Sequence, residues 1–339
     1  MKVGLLGGGN ISDTHARAAR AIPGVEIAAI YGANREKANR LAEAYGGVVY
    51  DDLDRFLDHK SLEIVAIGSP SGLHADQAIA AIQRGLHVLS EKPLDVTTPK
   101  VDSVIAAAER GGVKVGVFFQ DRLKPDIAAM KTTIVSGQLG KPIFAAGHVR
   151  WYRPPEYYAA SRWRGTRSLD GGGALMNQAI HTVDVLQWLF GPVAQVAART
   201  ATLLHPIQVE DTAAAVLAFE SGALGIIEAT TSSYPGYARR VDVSGSEGTL
   251  ILDGDRLVAT DLRAAGSQSS VIPAEPPPEN AASATVSDSV PHQRIFEDFI
   301  RAIREDAVPV CDAREARPSV AIIEAIYRSA ESGRFEEPN

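Results

Sequence analysis

Five short apolar runs punctuate the first 120 residues, and an amphipathic stretch with helical spacing separates successive members of the series. The runs are Val3 to Leu6, Glu26 to Tyr31, Ile64 to Ile67, His87 to Leu89 and Val113 to Val117. Between them lie Ile11 to Ile22, Arg35 to Tyr45, Leu73 to Arg84 and Pro99 to Arg110, with Gly24, Gly46, Gly85 and Gly111 placed where helices stop. Such runs suit strands covered on both faces, and repeated strand-helix alternation predicts a parallel, doubly wound sheet, an α/β architecture.

The pattern changes after about Gln120. A helix from Pro125 to Ser136 and a strand near Ile143 to Trp151 lead through a polar, aromatic stretch to Gly171-Gly172-Gly173, which opens a helix running through Leu189. Val193 to Leu203, Ala213 to Phe219, Ala223 to Thr231, Ala238 to Gly245 and Thr249 to Leu252 then read as successive antiparallel strands. The expectation is a first domain over 1–120 and a second, α+β domain over 121–339 built on a large, mainly antiparallel open sheet. Within it, Ala264 to Pro291 is rich in Ser, Ala, Pro and Glu and reads as an exposed loop; helices over 292–304 and 313–332 close the fold.

With 339 residues, 45% of them hydrophobic, both domains can bury a core. Acidic and basic residues alternate along the chain to a net charge of -7, which leaves no basic field for nucleic acid or an anionic membrane. Cys311 is the one cysteine, so no internal disulfide or cysteine metal cage forms, and a reducing cytoplasm is the compartment expected. The eight histidines are scattered without a close ligand pair, so no metal is expected, and no G-x-S-x-G nucleophile elbow occurs.

Gly7-Gly8-Gly9-Asn10-Ile11-Ser12 follows the first strand and opens the first helix, matching the Rossmann dinucleotide pattern G-x-G-x-x-G except that Ser12 takes the third glycine position. Gly7 permits the turn, Gly9 lets backbone approach a pyrophosphate, and the unpaired N–H groups at the start of the helix favour that anion. After the second strand comes Tyr31-Gly32-Ala33-Asn34-Arg35-Glu36-Lys37, with Gly32 where an acid usually meets the ribose hydroxyls of NAD. Arg35 or Lys37 can reach a 2′-phosphate or stand as solvated helix charges, so the cofactor is NAD or NADP, undecided.

Ser90-Glu91-Lys92-Pro93 follows the fourth predicted strand and puts a lysine at the carboxyl end of the sheet, where ligands of such folds gather. Glu91-Lys92-Pro93, the glycine loop, Ser69-Pro70-Ser71-Gly72-Leu73-His74, Trp163-Arg164-Gly165 and Gly171 to His181 together resemble the Gfo/Idh/MocA family of glucose-fructose oxidoreductase and inositol dehydrogenase relatives, in order along nearly the whole chain. The resemblance implies an NAD(P)-dependent dehydrogenase acting on a secondary alcohol of a sugar, sugar derivative or inositol-like polyol, assembled as a homodimer or homotetramer. It implies that Lys92 contacts the reacting hydroxyl and that His181 exchanges its proton, a role an imidazole can fill near neutrality. It further implies cofactor contacts from Gly7, Gly9, Asn10, Ile11, Asn34, Arg35, Ser69, Pro70, His74, Glu91, Lys92, Gln120, Trp163 and Arg164.

Asn177 stands four residues before His181, so an α-helix would put both on one face and join Asn177 to the site. Many relatives carry aspartate at that position; an amide can orient a substrate but cannot accept its proton. Asp184, one turn beyond, can orient the imidazole or pair locally. Arg122, Tyr152, Tyr157 and Asn177 are candidate substrate contacts, since aromatic faces cover pyranose C–H groups and polar groups satisfy hydroxyls. The Asn-x-x-x-His form with Trp-Arg-Gly is similar to enzymes oxidising the third position of nucleotide-linked N-acetyl sugars. Two other outcomes of the same resemblance are a redox-neutral NAD-dependent glycosidase and a non-catalytic dinucleotide-binding sugar sensor.

Overall fold

The computed structural model describes residues 1–264, 266–269 and 288–339, with 266–269 described by backbone alone. The chain divides into two compact units: the first holds Met1–Gln120 with a returning segment that ends at Arg317, and the second begins at Asp121 and is completed by Pro318–Asn339.

In the first unit, β1 (Lys2–Leu6), β2 (Glu26–Tyr31), β3 (Val48–Tyr50), β4 (Ile64–Ile67), β5 (His87–Ser90) and β6 (Val115–Val117) form one parallel sheet in the order β3-β2-β1-β4-β5-β6. Helices α1 (Asn10–Arg20), α2 (Arg35–Tyr45), α3 (Leu53–Leu57), α4 (His74–Ile82) and α5 (Thr98–Gly111) connect the strands. All five apolar runs are strands. The sixth, β3, lies at the sheet edge with Val48 half exposed, and its three residues are too few to make a periodic signal. Strand order reverses between β1 and β4, the switch point at which open α/β sheets receive ligands.

The second unit starts with α6 (Pro125–Val135), β7 (Pro142–Arg150) and α7 (Pro155–Ala159), then a π-helical turn, Ala174–Ala179, that runs into α8 (Ile180–Phe190). Next come β8 (Val193–Ala201), β9 (Thr212–Phe219), β10 (Leu224–Thr230), β11 (Arg240–Gly245), β12 (Gly248–Asp253), β13 (Arg256–Leu262) and β14 (Gly266–Ser269). The eight-stranded sheet has the order β14-β13-β12-β11-β7-β10-β9-β8. Every neighbouring pair is antiparallel except β7 with β10, because β7, the first strand in the chain, sits in the middle of the sheet. Its β7 strand packs against α8. Alternation along β9 leaves Ala214 and Val216 exposed, and Ile143, Phe144 and Leu224 are exposed on neighbouring strands.

Two expectations are corrected. The stretch read as a loop from 264 begins with a strand, since 266–269 pairs with β13; residues 265 and 270–287 of that reading lie outside the described residues. Of the two C-terminal helices assigned to the second domain, α9 (Val290–Arg304) belongs to the first unit and packs on α1, while α10 (Ala313–Ser332) follows it. Helical periodicity marks the buried face of α9, made by Ile295, Phe296, Phe299 and Ile300, but does not say what covers it.

Among the described residues, no helix is long and apolar enough to cross a membrane. Phe296 is fully buried and meets the Phe118 ring edge-on at 5.4 Å. Phe296→Ala should therefore lower the unfolding free energy by about 3–5 kcal/mol in urea titrations. An effect below 1 kcal/mol would mean that α9 is peripheral to that core.

Candidate active site

The glycine loop closes on the switch point. Gly7 adopts φ +134 and its N–H donates to the Tyr31 carbonyl at 2.7 Å, tying the loop to the end of β2. A Cβ at Gly7 would sit 2.7 Å from the Gly68 carbonyl oxygen and 2.8 Å from Ser12 Oγ, so no larger residue fits. A Cβ at Gly9, by contrast, meets nothing within 4 Å, and no side chain caps α1 there. Ser12 fills the third position as a buried hydroxyl that has no hydrogen-bond partner among the described residues. An open backbone approach at an uncapped helix N-terminus fits a dinucleotide pyrophosphate. Asn10 is exposed and Ile11 half-buried beside it.

At the end of β2 the Asn34 side chain accepts from Lys37 N–H at 3.0 Å, so Asn34 caps α2. Arg35 is exposed and faces Asp51 at 3.5 Å. At the end of β6, Gln120 is half-buried and its Oε1 lacks a partner among the described residues.

The segment after β5 is held by buried polar groups. Glu91 Oε1 lies 3.0 Å from His15 Nε2 on α1 and 3.3 Å from His292 Nε2 on α9, while Oε2 accepts from Lys92 N–H at 3.3 Å. His74 brackets two loops, one ring nitrogen 2.7 Å from the Pro93 carbonyl and the other 2.9 Å from that of Ser69, and the Ser69 hydroxyl donates to Gln77. Asp95 accepts from Ala75 N–H at the start of α4. The Lys92–Pro93 peptide is cis and Lys92 is half-buried. Glu91, His74 and Ser69, expected as cofactor contacts, also take part in the network around the lysine segment. Histidines dismissed as scattered in sequence are brought together here: His15, Glu91 and His292 form the one group among the described residues with metal-ligand spacing. Their distances are those of imidazoles donating to a carboxylate.

In the second unit the glycine run has a packing cause. A Cβ at Gly173 would lie 2.0 Å from the Glu210 carbonyl oxygen, and the Glu210 carboxylate accepts from Gly173 N–H, Leu175 N–H and the Tyr327 hydroxyl. The segment that follows is π-helical rather than α-helical, so the one-face argument for Asn177 and His181 does not apply. The Asn177 amide donates to Asp170 and accepts from Gln178 Nε2 at 2.7 Å; both ends of it brace the turn. His181 lies in the first turn of α8 with 15% of its side chain exposed. Its Nδ1 stands 4.0 Å from Asp121, which also holds Arg239 and, at 2.7 Å, Lys124. Burial opposes the charge on Asp121, but Arg239, then Lys124 and His181, hold its pKa well below the usual carboxylate range.

Arg122 is not available to a substrate: it is fully buried and makes two hydrogen bonds, at 2.8 and 2.7 Å, to Asp184. Asp184 also accepts from Ser319, so its carboxylate is engaged by two side chains. Tyr157, Arg164 and Trp163 do cluster, with the Arg164 guanidinium 4.2 Å from the Tyr157 ring centre and 5.5 Å from that of Trp163, and Arg153 is 5.6 Å from Tyr157. Tyr152 stands apart from these three contacts, edge-on to Tyr234 at 5.2 Å. Asp121, Arg239, Asp170 and Gln178 were not among the expected site residues; Asp121 and Arg239 meet across 118 positions, whereas Asp170 and Gln178 act through near neighbours in the turn around Asn177. Asp121 and Gln178 both lie inside segments singled out in the sequence.

A sequence profile described as the GFO/IDH/MocA oxidoreductase family with NAD-binding Rossmann fold matches residues 1–119, and the GFO/IDH/MocA C-terminal domain matches residues 127–251. The WlbA dehydrogenase from Bordetella pertussis, solved with NADH and UDP-GlcNAcA, is 34% identical, covers 99% of this chain and 98% of its own, and superposes with a TM-score of 0.88. A D-apiose dehydrogenase of Paraburkholderia graminis is 29% identical over 99% of this chain and 89% of its own length. A myo-inositol 2-dehydrogenase of Thermotoga maritima is 26% identical over 77% of this chain and 78% of its own.

Proton linkage tests the bracket around Glu91. Burial lowers the His15 pKa, only partly offset by Glu91, and the two imidazoles outweigh burial to hold Glu91 well below its usual range. Both groups bind fewer protons folded than unfolded, so stability rises with pH. The His15 share is complete above about pH 6.5 and is lost as pH falls through its lower folded value; the Glu91 share is lost only below about pH 4.3. His15→Gln keeps an N–H toward Glu91 but cannot protonate. Between pH 7 and 5 the unfolding free energy of the parent should fall with a slope of up to about 1.4 kcal/mol per pH unit more than that of the variant, measured by urea titration. Parallel slopes would mean that His15 is not held neutral.

Proposed function

The chain belongs to the GFO/IDH/MocA oxidoreductase family, and on that footing we propose that it reversibly oxidises a secondary alcohol of a sugar derivative with NAD as hydride acceptor. The observation that carries this reading is the open backbone at Gly9 and the uncapped start of α1, beside the switch point of the parallel sheet. Gly7 and Gly9 with the first turn of α1 hold the pyrophosphate, and Gln120 offers its amide at the end of β6. When bound, the nicotinamide supplies the hydride acceptor. His181 takes the hydroxyl proton on an imidazole nitrogen, and the Lys92 ammonium donates a hydrogen bond to the same oxygen and steadies its growing negative charge.

NAD rather than NADP is favoured because Arg35, one of the two cations able to reach a 2′-phosphate, already faces Asp51, and Asn34 is spent on capping α2. Within the sugar class we assign an anionic, nucleotide-linked sugar acid. Its support is the likeness to a dehydrogenase solved with UDP-GlcNAcA, together with half-buried Arg164 over the Tyr157 ring, where a guanidinium suits carboxylate or phosphate and an aromatic face suits a pyranose ring. The exposed apolar residues Val216, Phe144 and Leu224, which share one face of the second sheet, support a homodimer or homotetramer.

The test is the near-ultraviolet absorbance of reduced nicotinamide, with NAD and NADP separately, against nucleotide-linked sugar acids, neutral sugars and inositols. The expected result is growth of signal with NAD and a sugar acid. Cleavage of a glycoside without net reduction would replace the dehydrogenase reading with a redox-neutral one. Lys92→Ala and His181→Ala should each lower turnover by about 10²–10⁴-fold while NADH fluorescence titrations stay within a few-fold of the parent. Near-parental turnover in either variant would remove that residue from the mechanism.

A further inference from the structure

Charged groups from segments far apart in the chain gather beside His181 in its own unit. Asp121 lies in the turn Gln120–Leu123, Lys124 just after it, Arg239 immediately before β11 and Asp255 in the turn between β12 and β13. Lys124 reaches both carboxylates, Asp121 at 2.7 Å and Asp255 at 2.8 Å; Arg239 joins the same two, bonding Asp255 at 2.6 Å. On its own helix the nearest acid in sequence is Asp184, whose charge is taken up by Arg122. Of the two carboxylates in the first cluster, Asp255 has 49% of its side chain exposed and is screened by water, whereas Asp121 has 6% and stands 4.0 Å from the imidazole.

We propose that Asp121 is a positioning residue whose fixed negative charge raises the basicity of His181, and that Arg239, bonded to the same carboxylate oxygen, tempers it. The proposal rests on the reading of His181 as the base. An imidazole that takes a proton from a hydroxyl becomes a cation, and a carboxylate that stays ionised at every working pH stabilises it without itself exchanging a proton. Buried within the cluster, Asp121 is a constant anion whose surroundings need not reorganise as the proton arrives. The two neighbours act with opposite sign: removing the anion makes His181 a weaker base, and removing the cation makes it a stronger one.

The experiment follows the His181 ring C–H resonance by NMR against pH in the full chain labelled at histidine, with His181→Gln used for assignment. In Asp121→Asn the midpoint should fall by about one unit, a tenfold change in the protonation equilibrium. In Arg239→Gln it should rise by a comparable amount. Lys124→Gln, with a less buried side chain, gives the same upward direction if the Arg239 variant does not fold. An unmoved midpoint in Asp121→Asn, or movement of both classes of variant in one direction, overturns the proposal. The acid limb of kcat/KM for alcohol oxidation should follow the resonance, moving to lower pH in Asp121→Asn, since only the neutral imidazole accepts the proton. If the resonance moves while the kinetic limb stays, the base assignment fails and the electrostatic proposal stands. A loss of packing alone would lower the plateau and leave the limb in place.

Discussion

Glu91 is a carboxylate removed from water, and what surrounds it decides how the first unit is held together. Burying an unpaired charge costs several kcal/mol, and here three donors offset that cost: imidazoles from α1 and α9 and the backbone N–H of Lys92. The three donors belong to the helix that follows the glycine loop, to the lysine segment and to a helix nearly 200 residues later in the chain. One acid therefore joins the dinucleotide loop to Lys92 and recruits α9 to a unit whose sheet is already complete. Phe118 stacks on His15 at 4.4 Å and helps keep the group largely out of water, which strengthens its hydrogen bonds and makes the loss of any one of them expensive.

The second unit uses the same chemistry twice around α8. Arg122 and Asp184 neutralise each other without exposure, fixing the middle of the helix, whereas Asp121 and Arg239 do so beside its first turn, where an imidazole remains partly open. The first pair is structural, as its complete burial shows. Fixed charges of the second kind are what a proton-transferring group needs around it, since their field is in place before the proton moves.

The parallel sheet was legible because its strands are apolar on both faces and its helices amphipathic, two periods that composition cannot blur. What escaped was decided by partners far apart in sequence. Nothing local distinguishes His15 and His292 from the other histidines, and periodicity could not reveal that α9 folds back onto α1. Around the site, the glycine loop and His181 could be picked out by motif, but the spacing of Asn177 misled because the segment after the crowded glycines is a π turn where an α-helix was assumed. Arg122 misled for a related reason: a charge in a polar segment reads as surface until the buried acid that claims it is seen.

That π turn separates two registers that an unbroken helix would lock together. An α-helix advances about 100° per residue, so its side chains keep one fixed angular relation from end to end. The wider turn at Ala174–Ala179 inserts an offset between the residues braced by Asp170 and those that α8 lays against β7. Removing one residue there would restore α-helical spacing and change the angle at which the residues before α8 are presented relative to those it lays against β7. The length of this one turn therefore sets the angular offset between the two halves of the segment.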